Sequence, residues 1–416
     1  MNTNDQILDS REKRYFEILE LQKRYRTIVV IKGNTPGKQK NPPLACFLVK
    51  LFAAMVIRIG FDSVTEFTDY DGYYIILANN NDPDCLKRQL VEYEKNHPLG
   101  RLIDLDVYSS SGKLSRPNPR KCYICGKNAF DCIRNNRHQP SAITKAYFDP
   151  ISAYMESLIK KLIKEAVYDE LDLEPKFGLV SKSSSGSHSD MEYGLMQRAY
   201  EAIEADLYRI FLTGFNASDR GGLLDVIRPI GREAEKKMLE ATNNINAYKG
   251  LIFNLGIILA ACGWILSGMR EEQDVFMVVA AIAANITKEL EGEPLTFGQL
   301  AFKEYGFKGA RGEAERGYPN VQKALTKLRD LSWESRMSAL VGLIAATEDT
   351  VLLKRSGSLD AYRIHQSRFQ EIGVFDLKTV TELTNYSIKN NLSFGGSADL
   401  LIVACFMHRL KDKIMI

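Results

Sequence analysis

The chain has 416 residues, 45% of them hydrophobic and 26% charged, which suits two or three globular domains and excludes a disordered or collagen-like chain. Its net charge of +3 is unevenly placed: residues 1–150 hold 23 Lys+Arg against 17 Asp+Glu, and the remainder 32 against 35. Neither part is basic enough to make nonspecific nucleic-acid binding its main business.

In chain order, 9–25 reads as a charged helix with Tyr15, Ile18, Leu19 and Leu21 on one side. A β-branched run follows at 27–31, then a buried helix at 43–59. Two strands at 62–68 and 73–77 are joined by the turn Asp69-Tyr70-Asp71-Gly72, and a capped helix at 84–96 leads to a strand at 102–108. After the first helix the order is βαββαβ, the split arrangement of ferredoxin-like sheets. Residues 109–138 are loop-rich, with Gly112, Pro117, Pro119 and Gly126, and carry seven Lys+Arg against one acid.

From 151 onward the periodicity is helical: 151–170, 191–212, 231–240, 249–268, 273–290, 320–330, 334–346, 359–370, 376–390 and 397–412. The fold class is therefore multidomain: an N-terminal α+β domain over 1–145, then an all-α domain over 150–416, divided near 139–150. The run GLIFNLGIILAACGWILSG (250–268) has the length of a membrane span, yet it contains Asn254 and four glycines and follows Lys249. It is expected to be a core helix, with no membrane partner. The polar N-terminus has no apolar leader segment and there are seven cysteines, so a cytoplasmic protein with reduced thiols is expected.

In HPLGRLIDLDV (97–107), strand alternation puts Asp104 and Asp106 on one face and Ile103, Leu105 and Val107 on the other. Such a carboxylate pair can hold Mg²⁺ on a triphosphate, with Arg101 and the basic run after it (Lys113, Arg116, Arg120, Lys121) on phosphate oxygens. A solvated strand face gives the same pattern. Cys122-x2-Cys125-x6-Cys132-x5-His138 has the ligand types and spacing of a structural Zn²⁺ site; free thiols or a redox pair satisfy it too.

Five polar islands interrupt the helical half. KFGLVSKSSSGSHSDM (176–191) offers Ser185, Ser187, His188 and Asp190 in a Gly/Ser loop, which a flexible linker would also explain. NNINAYKGLIF (243–253) starts the most apolar helix with Lys249. GARGEAERGYP (309–319) supplies Arg311 and Glu313, and ATEDTVLLKRSG (346–357) supplies Asp349, Lys354 and Arg355. NLSFGGSADLL (391–401) carries Asp399 early in the last helix, where a capping role is the ordinary reading. Five islands in one helical domain imply loops converging on a charged ligand.

HPLGRLIDLDV with RKCYICGKNAFDCIRNNRH (120–138), SREKR (10–14) and PGKQKNPPL (36–44) resembles the apo-citrate lyase phosphoribosyl-dephospho-CoA transferases over about 7–140. The five islands resemble triphosphoribosyl-dephospho-CoA synthases over about 166–407, and less closely their counterpart in malonate decarboxylase maturation. The second resemblance implies that ATP and 3'-dephospho-CoA give 2'-(5''-triphosphoribosyl)-3'-dephospho-CoA and adenine. The first implies transfer of phosphoribosyl-dephospho-CoA to a serine of the acyl-carrier (gamma) subunit of citrate lyase, releasing pyrophosphate. A nucleotidyltransferase-like role follows for the N-terminal sheet, with Asp104 and Asp106 on Mg²⁺ and His97 and Arg101 as further candidates for positioning or phosphate contact. Ser185, Ser187, Lys249, Arg311, Lys354 and Arg355 are assigned to phosphates, Asp190, Glu313 and Asp349 to metal or base roles, with His188 and Asp399 in reserve. The chain departs from the family pattern at Tyr248, Val351, Ser356 and Phe394, so Tyr248 and Val351 are not expected to be catalytic.

Fusion of the two activities raises the effective concentration of one module near the other. Two rival readings use the same residues. A zinc-ribbon nucleic-acid module on a helical scaffold fits the +6 balance of 111–138 but has only Tyr123 and Phe130 for stacking. A metal-dependent nucleotide hydrolase would be built on His188-x-Asp190 and would release phosphate or pyrophosphate from ATP alone.

Overall fold

The structure, a computed structural model, describes residues 3–116, 118–268, 274–293, 296–372 and 376–416. Pro117 and Gln273 of the sequence reading lie outside them. The described residues group into two compact units: one holds 3–158 with short pieces at 266–268 and 411–416, the other holds 159–265 and 274–410.

The first unit contains α1 (Thr3–Gln22), β1 (Thr27–Gly33), α2 (Pro43–Ile57), β2 (Ser63–Asp69), β3 (Gly72–Asn79), α3 (Pro83–Asn96), β4 (Ile103–Ser109), β5 (Gly112–Lys113) and α4 (Ala129–Arg134). The order βαββαβ after α1 is as the periodicity predicts. The strands form one antiparallel sheet, β2-β3-β1-β4-β5, whose last two-residue strand is too short to leave a periodic signal. Val29, Ile31, Ile75, Leu77, Leu105 and Val107 are each fully buried, and contacts of β1, β3 and β4 run to α2 and α3. Each such side chain contributes on the order of 1.5–3 kcal/mol. The opposite face carries Ile28, Val30, Tyr74, Ile76 and Ala78, against which Ile18 and Leu21 of α1 pack.

The inward side of α1 differs from the expected one. Ile7, Ser10 and Ile18 are buried while Tyr15 and Leu19 are exposed, because Arg14, at the same helical azimuth as Ile7 and Ile18, turns inward to an acid on the sheet.

Helix α5 (Pro140–Leu171) runs straight through the expected boundary at 139–150, with Pro150 in its interior. Proline there removes one intrahelical bond, but Tyr147 and Ile151 on either side are fully buried and hold the helix together across it.

The second unit continues with α6 (Tyr193–Asn216), α7 (Leu223–Ala241), α8 (Lys249–Leu266), α9 (Val275–Ile282), α10 (Phe297–Tyr305), α11 (Gly309–Glu315), α12 (Pro319–Lys327), α13 (Trp333–Ala346), α14 (Thr350–Ser356), α15 (Leu359–Gln370), α16 (Leu377–Lys389) and α17 (Gly395–Lys413). The short helices α10, α11 and α14 fall outside the helical stretches expected from the periodicity, since seven to nine residues give too few turns for a periodic stripe. The expected helix 273–290 ends early: Asn285 takes a left-handed conformation and a single 3₁₀ turn, Ile286–Leu290, follows.

The span-like run is α8, and 83% of it is buried inside the protein. Its glycines serve close packing. A Cβ at Gly263 would sit 2.2 Å from the Phe211 carbonyl oxygen, and one at Gly214 only 2.0 Å from that of Ala260. The α6 and α8 backbones therefore touch where neither can retreat. Gly263→Ala is expected to destabilise the helical unit by about 1–3 kcal/mol through overpacking. Urea denaturation followed by far-UV circular dichroism would read this as a lower midpoint.

Candidate active sites

On β4, Asp104 and Asp106 share the face opposite buried Ile103, Leu105 and Val107, as the alternation predicts. Across the ladder to β1, Asp104 stands opposite Lys32 and Asp106 opposite Val30, so all four point to the α1 side of the sheet. Arg120 pairs with Asp104 and, at 3.0 Å, with Glu94, which also takes Arg116. Lys113 reaches Asp106 at 2.6 Å. Asp104 Oδ2 and Asp106 Oδ1 have no protein partner among the described residues. Hard carboxylate oxygens on one half-exposed face suit Mg²⁺. Arg101 belongs to the same cationic group: burial, and then Arg120 and Arg116, lower its pKa.

The same neighbourhood holds residues that the sequence reading missed as site residues. Asp71, in the β2–β3 turn, is wholly buried, with Arg14 at 2.8 Å, Arg11 at 3.1 Å and Lys32 in direct contact. Burial pushes Lys32 down to about 8, and the two arginines add to this against the pull of Asp71. Burial also lowers the pKa of Lys40, whose ammonium donates to the Thr35 carbonyl at 2.6 Å. The segments SREKR and PGKQKNPPL thus meet Lys32 and Asp71 around one anion-sized charge cluster. The signal was present in the charged end of the first strand and in the turn Asp-Tyr-Asp-Gly, but it links residues about 60 positions apart.

His97 is committed elsewhere. Its Nδ1 accepts from the Leu99 N–H at 3.1 Å, its Nε2 lies 3.3 Å from the Tyr154 hydroxyl, and Phe52 packs edge-on at 4.7 Å. Burial lowers its pKa, as suits a packed neutral ring. Cys122, Cys125, Cys132 and His138 come together, with their ligand atoms all within 4.8 Å of one another.

In the helical unit, all five islands line a cleft of about 550 Å³, together with Glu170 and Asn254; the 176–191 island contributes Leu179, Val180, His188 and Met191, and the 243–253 island Tyr248. Its carboxylates differ in what already holds them. Asp349 caps α14, accepting from the Val351 and Leu352 N–H groups at 2.9 and 3.1 Å, and its other oxygen accepts from the Ser397 N–H and hydroxyl at 2.9 and 3.1 Å. These four donors occupy its lone pairs and tie α14 to α17. Glu348 accepts from the Lys308 and Gly309 N–H groups at 2.7 and 3.2 Å. Glu313 takes the Asn320 amide at 2.8 Å and its N–H at 3.2 Å, with Arg316 at 3.4 Å, and burial raises its pKa. Glu170, unremarked in the sequence, pairs with the fully buried Lys176 at 2.7 Å.

Asp399 stands apart. Among the described residues it accepts no hydrogen bond from the protein. Burial, then Glu170 and Asp349, raise its pKa well above the usual carboxylate range. A Cβ at Gly250 would lie 2.1 Å from its Oδ2, so glycine admits this carboxylate to the first turn of α8. It is not a cap of its own helix, which begins four residues earlier. The Tyr248 hydroxyl is buried without a partner among the described residues, and the ring lines the same cleft.

Of the expected phosphate ligands, Lys249 and Arg311 line the cleft, held by Glu235 at 2.6 Å and Glu289 at 3.4 Å. Arg355 instead clamps the 185–190 loop, donating to the Ser187 carbonyl at 2.8 Å, the Asn391 side chain at 2.7 Å and His188 Nδ1 at 3.1 Å. That bond fixes His188 as the Nε2–H tautomer donating to Ser393 at 2.9 Å, and burial with Arg355 lowers its pKa. Ser185, Ser187, Asp190 and Lys354 are not among the cleft-lining residues, and Ser187 is turned to the Ser387 carbonyl at 3.4 Å. The His188–Asp190 pair is 3.9 Å apart with Asp190 exposed, so the hydrolase reading loses its centre.

The sheet unit carries paired carboxylates among cations and the helical unit a carboxylate-lined cleft, donor sets that suit transfer chemistry on phosphorylated substrates. The family model described as apo-citrate lyase phosphoribosyl-dephospho-CoA transferase matches residues 2–154, and that described as ATP:dephospho-CoA triphosphoribosyl transferase matches 156–415. "Protein CitXG" of Haemophilus influenzae is 31% identical over 96% of this chain and 94% of its own length. Its namesake in Leuconostoc mesenteroides subsp. cremoris is 30% identical over 98% and 97%. A 2-(5''-triphosphoribosyl)-3'-dephosphocoenzyme-A synthase of Haemophilus ducreyi is 31% identical over 69% of this chain and 99% of its own. The chain belongs to the fused CitX–CitG family, bifunctional transferases of citrate lyase prosthetic-group biosynthesis.

Proposed function

We propose that the helical unit joins ATP to 3'-dephospho-CoA and that the sheet unit passes the product to the acyl-carrier (gamma) subunit of citrate lyase. In the first step the 2'-hydroxyl of dephospho-CoA attacks the anomeric carbon of the ATP ribose. The glycosidic bond to adenine breaks and the triphosphate is retained. Asp399, whose charge steadies the oxocarbenium-like centre, takes the hydroxyl proton, and the departing adenine nitrogen gains one in turn, so the proton count is unchanged. Lys249 and Arg311 hold phosphate oxygens, Glu313 orients the site through Asn320, and Arg355 sets the 185–190 loop. The single observation that carries this reading is a cleft with one carboxylate, Asp399, whose lone pairs the protein leaves unused.

In the second step the carrier serine oxygen attacks the innermost phosphorus in line, and pyrophosphate departs. Mg²⁺, held by Asp104 and Asp106, would neutralise charge on the triphosphate. Arg11, Arg14, Lys32 and Lys40 surround the phosphates, while Arg101, Arg116 and Arg120 form the second cationic wall. We read the chain as two domains, 1–145 and 150–416; the order β2-β3-β1-β4 supports a ferredoxin-like, nucleotidyltransferase-like sheet for the first. Seven free cysteines support a cytoplasmic setting.

Incubating the protein with ATP, Mg²⁺ and dephospho-CoA should release adenine, identified by chromatography, and no phosphate. Adding the apo carrier should increase its mass by one phosphoribosyl-dephospho-CoA group. Phosphate or pyrophosphate from ATP alone would overturn the first assignment, and a carrier of unchanged mass the second.

A further inference from the structure

The Cys/His module at 120–138 enters neither transfer step. We propose that Cys122, Cys125, Cys132 and His138 bind one structural Zn²⁺, and that this ion fixes Arg120 beside Asp104 and Glu94.

Tetrahedral zinc with sulfur at about 2.3 Å and nitrogen at about 2.0 Å sets its ligand atoms about 3.5–3.8 Å apart. Here Cys122 Sγ lies 3.3 Å from His138 Nε2, Cys125 Sγ lies 3.5 Å from Cys132 Sγ, and the four ligand atoms all fall within 4.8 Å. The backbone is shaped for it. The Cys122 N–H donates to the Lys127 carbonyl at 2.6 Å, the Gly126 N–H returns to the Cys122 carbonyl at 2.9 Å, and Gly126 has a φ of +71°. This tight knuckle presents two thiols from one turn, and α4 brings the third. The convergence of an imidazole with three thiols, rather than two thiols alone, distinguishes a metal site from a disulfide pair.

The packing makes a second, independent case. The module has almost no core: Phe130 is 67% exposed and Ile133 75%, and Cys132 is the one buried residue of α4. Five cations against one acid repel one another over this stretch. A segment so short and so poor in apolar burial needs a staple, and metal ligation supplies folding free energy outright. The staple reaches the site through Arg120. Its carbonyl accepts from the Ala129 N–H at 2.9 Å within the knuckle, while its guanidinium contacts Asp104 and donates to the Ile103 carbonyl at 2.9 Å.

The test uses the full chain, purified under reducing conditions without chelator. Elemental analysis should find one zinc per chain, retained in Cys85→Ser and lost in the double variant Cys125→Ser/Cys132→Ser. Cobalt(II) in place of zinc should give the visible bands of a tetrahedral thiolate site. Removing the metal should slow phosphoribosyl transfer about 10-fold or more, leave adenine release unchanged, and be reversed by Zn²⁺. The positioning role rests on the proposed transfer reaction; the metal content does not. Reduced wild-type protein that takes up neither zinc nor cobalt overturns the site, and bound iron overturns the choice of metal. Zinc whose removal leaves transfer intact overturns the positioning role.

Discussion

Asp399→Asn is expected to slow adenine release from ATP and dephospho-CoA by about 10²–10⁴-fold, the usual worth of a general base. The substitution keeps shape and polarity, so the fit against Gly250 survives. Transfer of ready-made triphosphoribosyl-dephospho-CoA to the carrier should be unaffected. The pH dependence has a definite sign. Burial, with Glu170 and Asp349 nearby, raises the folded pKa of Asp399, so the base form accumulates only as pH climbs through that raised value. Wild-type turnover should therefore rise with pH, and the residual activity of the variant should lose that limb. Stability runs the other way. A carboxyl with a raised folded pKa binds its proton more tightly folded than unfolded, so stability falls as pH rises from the unfolded pKa of about 3.9 through the folded one. Asp399→Asn removes that penalty and should melt higher than wild type at neutral pH. An inactive variant that also melts lower would mean that Asp399 serves the fold, not the reaction.

The sequence made Asp104 and Asp106 legible because strand alternation is a local rule, and β4 obeys it residue by residue. It made the islands legible as a set, because polar breaks in apolar helices are conspicuous. It could not rank their acids. Asp349, Glu313 and Asp399 look alike on the page, and only the fold spends the lone pairs of the first on four donors and leaves those of the last unused. Composition likewise read 176–191 as ligand loop or linker. In the fold Arg355 ties it down, and His188 alone of its proposed ligands lines the cleft, with Leu179, Val180 and Met191. The Asp71 cluster was illegible for a different reason, since Arg11, Arg14, Lys32 and Asp71 meet only once α1 lies on the sheet. Pro150 was misleading because local backbone preference yielded to the burial of Tyr147 and Ile151.

Asp104→Asn is the complementary experiment and should reduce phosphoribosyl transfer by about 10²–10³-fold, the scale of losing one electrostatic contact to a charged transition state. Adenine release should persist at the wild-type rate, since nothing in the helical cleft changes. Two consequences follow from the paired charges. Arg120 loses its ionic partner on β4 but keeps Glu94 at 3.0 Å, so the loop stays in place and the deficit belongs to the carboxylate itself. The Mg²⁺ concentration for half-maximal transfer should rise, a change that a merely structural lesion would not produce. Lys32, directly opposite on β1 and pushed down to about 8, supplies the pH signature of the same pocket. Its ammonium persists below that value and is lost above it, so the KM for the triphosphate intermediate should climb as pH passes 8. Lys32→Met should show the high KM throughout and no such climb. Equal amounts of Asp104→Asn and Asp399→Asn, mixed with ATP, dephospho-CoA and apo carrier, should label the carrier where neither does alone, because each retains the activity the other lacks. Failure of the mixture, with each single activity intact, would mean that the intermediate does not leave the chain that makes it.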